Sequence, residues 1–146
     1  MRHNDRVRGA LTIDGHHLMV INAGRGYWHS EETLSTAPPL RMLQILIRPR
    51  SSGLDPAMQF GPLPDVRPIQ WRHLVGPEGG PASFRVRGEV DIYDIRLPAG
   101  LGADFPRAPR SSTSISSSAD PPPAARNSEK RSGVCFPQTS LLASLQ

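Results

Sequence analysis

The chain is 146 residues long, about one domain's worth, and its 37% apolar and 5% aromatic content is low for a compact domain of that size. Sixteen prolines and thirteen glycines exclude a long helical bundle or coiled coil, because both residues break helix interiors. No run of about 18 apolar residues is present, so no membrane-spanning helix is expected. The formal net charge of +4 is spread rather than clustered, with 12 basic and 10 acidic residues in 1–100 and 5 and 3 after it, so nucleic acid is not an expected partner.

Residues 1–10 carry charge but lead into no apolar signal core. Cys135 is the single cysteine and has no internal disulfide partner. Together these point to a reducing, cytoplasmic setting. Between Gly and Pro punctuation, short apolar and β-branched runs recur as strands do. The first is Leu11, Thr12 and Ile13; the second runs from Leu18 to Asn22 and is closed by Gly24 and Gly26. A strand is expected to restart at Tyr27. The run at 41–47 is the strongest and Pro49 ends it; others fall at 71–75, 84–87 and 90–97. Several short strands at roughly even spacing predict an all-β sandwich or barrel.

A compositional boundary lies near residue 100. Serine occurs five times in 1–100 and ten times in the 46 residues after it, including a Ser-rich run at 111–118 and three prolines at 121–123. Such a stretch has too little apolar surface to offset chain entropy, so 101–146 is expected to be a disordered tail.

The segment with chemical content is Ala23-Gly24-Arg25-Gly26-Tyr27-Trp28-His29-Ser30-Glu31. It is not a dinucleotide-binding fingerprint: His29 stands where the third glycine belongs, and no helical pattern follows. Two glycines after a strand instead allow a tight turn with positive φ. His29 and Glu31 are two residues apart, so on a strand they share one face. An imidazole beside a carboxylate suits a divalent transition metal: iron, nickel, copper or manganese. The plain alternative is a half-buried polar pair. Tyr27, Trp28, Trp71 and Phe84 read as packing residues, and His73 as an ordinary strand histidine. His16 and His17 are adjacent and so face opposite ways, which disfavours a shared ligand role.

The Ala-Gly-x-Gly-x-x-His-Ser-Glu segment resembles the signature of the pirin family of cupin proteins. The likeness extends to His3-Asn4-Asp5 before it, to the strand from Leu40 through Ile47 after it, to the linker around residues 54–59, and to residues 71–79 and 90–97 at the start of the family's second half. The resemblance implies two packed cupin β-barrels, with 1–100 as a partial pirin-like cupin domain running into the start of a second. It implies metal ligation by His29 and Glu31, completed in the family by an upstream His-x-His pair that has no counterpart here. His3 matches a non-ligand histidine of that family. Family activity is of the quercetin 2,3-dioxygenase type on a flavonol-like small molecule, and other members are transcription cofactors. With half of the metal site absent, this chain is expected to be a truncated or frame-shifted copy without dioxygenase activity. The alternatives are a non-catalytic binding or regulatory remnant that self-associates through open strand edges, and a decayed reading frame.

Overall fold

The computed structural model describes residues 1–35, 41–104 and 106, and the backbone of residues 131–135 and 139–145. Every described element is a strand, so the chain is all-β as its punctuation predicts. In chain order these are β1 (Arg2–Asp5), β2 (Gly9–Thr12), β3 (His17–Asn22), β4 (Tyr27–Glu32), β5 (Arg41–Ile47), β6 (Ala57–Pro62), β7 (Arg72–Pro77), β8 (Phe84–Val86), β9 (Ile92–Asp94), β10 (Arg131–Cys135) and β11 (Thr139–Leu145). They form three open sheets, ordered β10-β4-β1-β2, β5-β11-β3-β6 and β8-β7-β9. All strand pairs are antiparallel except β7 with β8. Among the described residues no helix is long and apolar enough to cross a membrane.

The core is organised by β3. Its run Leu18-Met19-Val20-Ile21 is fully buried on both faces. Because side chains alternate along a strand, Leu18 and Val20 join Ile47, Leu74, Val75, Phe84 and Val86 in one apolar cluster. Met19 and Ile21 join Ile13, Ala23, Tyr27 and Met58 in another. A continuous apolar run is what a strand covered on both sides requires.

The turn that launches β4 has little freedom. Gly24 has φ +56, and a side chain there would place its Cβ 2.1 Å from the Leu54 carbonyl oxygen. The Arg25 amide donates to that same carbonyl at 2.8 Å, and the Gly26 amide closes the turn onto Ala23 O at 2.9 Å. Arg25 also pairs with Asp55. The 54–55 segment therefore clamps the glycine turn and fixes where Tyr27 begins the next strand.

The structure differs from the sequence reading in several places. Residues 57–62 form a strand paired with β3, where the resemblance places a linker over 54–59. The run at 90–97 is a strand only over Ile92–Asp94, because Asp91 turns its carboxylate to His73 and a bulge falls between His73 and Val75. Trp71 stands outside β7, its indole donating to the Asp104 carbonyl at 2.7 Å. Within the stretch read from composition as a tail, residues 131–135 and 139–145 form β10 and β11. β10 pairs with β4, and β11 lies between β3 and β5. Backbone groups of those three strands need partners, and the two C-terminal segments supply them. The Ser/Pro-rich run at 111–130 lies outside the described residues.

Two expectations follow from this architecture. Gly24→Ala loses its turn conformation and meets backbone, so urea unfolding is expected to report a loss of about 2 kcal/mol or more. A chain ended after Asp104 leaves β3 and β5 without β11 between them; it is expected to self-associate, read as a mass above the monomer by size exclusion with light scattering.

Candidate functional site

The antiparallel register of β1 against β4 places His3 opposite Glu31 and Asp5 opposite His29. Side chains of alternate residues share a face, so these four, with Tyr27, project to one side of the sheet. The opposite face carries Arg2, Asn4 and Trp28, all exposed, and Trp28 is 51% accessible rather than packed. Tyr27 is buried as expected and links the polar group to the apolar cluster of Ile13, Met19, Ile21 and Met58.

His3 and Asp5 side chains are wholly buried. His3 Nε2 lies 2.9 Å from Asp5 Oδ2. The other carboxylate oxygen, Oδ1, accepts the amides of Val7 at 2.6 Å and Arg8 at 2.7 Å. Burial pushes the Asp5 carboxyl up, but those amides, the Tyr27 hydroxyl and His3 outweigh it and hold it below the usual carboxylate range. Asp5 is therefore ionised at neutral pH, and His3 Nε2 donates the hydrogen between them.

On the far side of that ring, His3 Nδ1 lies 3.5 Å from Glu31 Oε1. His29 Nε2 approaches the same oxygen at 3.8 Å. The imidazoles of His3 and His29 stack with centroids 5.2 Å apart and planes 21° apart. His29 is held below the ordinary imidazole range, chiefly by desolvation, with Glu31 opposing the shift and His3 adding to it. Burial and the neighbouring Asp5 carboxylate push the Tyr27 hydroxyl far up, so it stays protonated. His3 Nδ1, His29 Nδ1 and Glu31 Oε1 are buried without a hydrogen-bond partner. As the side chains stand, no three His, Cys, Asp or Glu residues among those described converge as a formed metal cage.

His29 and Glu31, the pair singled out from sequence, are brought together on one face. His3, Asp5 and Tyr27 complete the group and were missed as site residues. The signal was present in the His-x-Asp spacing, which puts His3 and Asp5 on one face of any strand, but nothing in the sequence gives the β1–β4 register. The remaining histidines are elsewhere. His17 bonds Asp14 Oδ1 and stacks on Phe60, His16 is exposed, and His73 pairs with Asp91 and stacks on Tyr93. A cavity lined by Arg8, Met58, Phe60 and Phe84, among others, includes none of the clustered residues.

Fold and site together define an all-β protein with a buried histidine–carboxylate group across one strand pair. Compared with family models, curated proteins and solved structures, the chain matches none.

The pKa directions set the acid stability of the metal-free protein. His29 is depressed from 6.5, so its contribution is complete above that value and is lost as pH falls below it. Asp5 is depressed from 3.8, so its contribution is lost only as pH falls below that. Urea unfolding across pH is expected to show stability dropping in these two windows, with His29→Gln removing the upper one.

Proposed function

We propose that this chain is a pirin-like cupin protein that binds a divalent transition metal (iron, nickel, copper or manganese) through His29 and Glu31 without turning over a flavonol-like substrate. The observation that carries the reading is that His29 and Glu31 share one face of β4, with His29 Nε2 3.8 Å from Glu31 Oε1 and that oxygen buried without a hydrogen-bond partner. An unpaired buried acceptor is costly, and a cation offsets that cost. The pirin-type segment around it, with Gly24 and Gly26 in a clamped turn, supports the family resemblance. Of the family's four ligand positions, His29 and Glu31 are the ones matched in this sequence, and the expectation of no turnover follows from that pair alone. Two ligands leave coordination number and geometry unmet, so the metal is held loosely.

A second reading, a binding remnant that self-associates, has its own support. β5 is an edge strand of its sheet and exposes Leu46 at 57% and Met42 at 38%. An exposed apolar edge invites pairing with a second copy.

Titration calorimetry with Ni²⁺ tests the first reading. The wild-type chain is expected to bind, and His29→Ala and Glu31→Ala are each expected to weaken binding by about tenfold or more. With Fe²⁺ or Ni²⁺ and air, quercetin absorbance is expected to stay constant. Heats equal to those of a combined His29→Ala and Glu31→Ala variant, or steady quercetin consumption, would overturn it.

A further inference from the structure

β6 is the outer strand of the β5-β11-β3-β6 sheet, and a cavity of about 390 Å³ opens beside it. The apolar walls come from both faces of that sheet. Met58 and Phe60 pack with the cluster of Met19 and Ile21, and Phe84 with the cluster of Leu18 and Val20. Between these walls Gly61 contributes no side chain; a Cβ built there would lie 3.6 Å from Phe84 Cζ. Gln59 holds the walls apart at a fixed spacing. Its side-chain amide donates to Arg85 O at 2.6 Å and accepts from Arg85 N at 2.9 Å, which ties β6 to β8.

The polar side of the cavity carries donors. Arg8 lines it and is exposed, and among the described residues its guanidinium has no ion-pair partner. The Arg8 backbone is fixed, because its amide donates to Asp5 Oδ1 at 2.7 Å. The Leu63 amide bonds His16 O, and hydrogen-bonded pairs alternate along an antiparallel ladder. Gly61 therefore turns its amide to β3, and Phe60 turns its amide outward at the open edge.

The structure assigns this cavity to a small aromatic carboxylate, its ring between Phe60 and Phe84 and its charge on Arg8. The volume falls among small-molecule sites, which run from about 300 to 1,000 Å³. Aromatic walls favour a flat ring. A guanidinium fork matches a carboxylate, and one cation balances one negative charge. The assignment is independent of the metal-binding reading, since His29 and Glu31 do not line the cavity.

The test titrates the full, metal-free chain with 2-naphthoate and follows the probe's fluorescence. Saturable binding at one site is expected. Arg8→Gln is expected to weaken it by about tenfold or more, the scale of a lost charge-assisted contact. Gly61→Val puts a branched side chain where the ring would lie and is expected to abolish saturable binding. The neutral analogue 2-naphthalenemethanol is expected to bind more weakly than naphthoate and equally to wild type and Arg8→Gln. The assignment is overturned if wild type shows no saturable binding, if both probes bind alike, or if either variant keeps the wild-type affinity for naphthoate. Should Gly61→Val not fold, by circular dichroism, ¹⁵N amide shifts decide in its place. Naphthoate is then expected to move the Phe60 and Gly61 amides of the wild-type chain, and unmoved amides overturn the assignment.

Discussion

A buried imidazole needs something at each ring nitrogen, and the register of β1 against β4 decides what His3 is offered. One side is settled within β1, where Asp5 sits two residues on and faces the same way. The other side faces Glu31 across the strand pair, 3.5 Å away. A slip of one residue would turn Glu31 to the exposed face and bring Ser30 or Glu32 opposite His3. Pairing register and site chemistry are therefore one constraint, and the rest of the sheet serves to hold it.

That register is anchored from outside the sheet. β3 is buried between two apolar clusters and cannot slide without exposing Met19 and Ile21 or Leu18 and Val20. The glycine turn then fixes the start of β4 relative to β3, because residues 54–55 press against Gly24 and bond Arg25. Tyr27 carries the consequence inward. Its ring belongs to the apolar cluster of β3, and it lies 6.4 Å from the His3 ring and 5.8 Å from that of His29.

Strand alternation made part of this legible in the sequence. His29 and Glu31 share a face because they are two apart, and the two glycines fall where positive φ is used. The apolar runs at 18–22 and 41–47 are strands, as their β-branched content indicates. What pattern could not supply was pairing between distant segments. His3 and Glu31 lie 28 positions apart, and nothing local states that they meet. β6 was hidden by the linker reading of 54–59, which says nothing of its pairing with β3. β10 and β11 were hidden by the serine- and proline-rich stretch before them, whose composition says nothing about how the short run at 141–145 pairs.

The same arrangement constrains what a bound metal could do for this protein. The proposed ligands His29 and Glu31 share a face only when β4 is formed, so a cation held by both would bind the folded chain in preference to the unfolded one. Such a ligand adds stability as its concentration exceeds its dissociation constant, by RT ln(1 + [L]/Kd). The first sheet buries polar atoms without partners where the second buries apolar β3. Under the proposed reading, a metal held by His29 and Glu31 would give the Glu31 oxygen that β4 buries the partner it lacks.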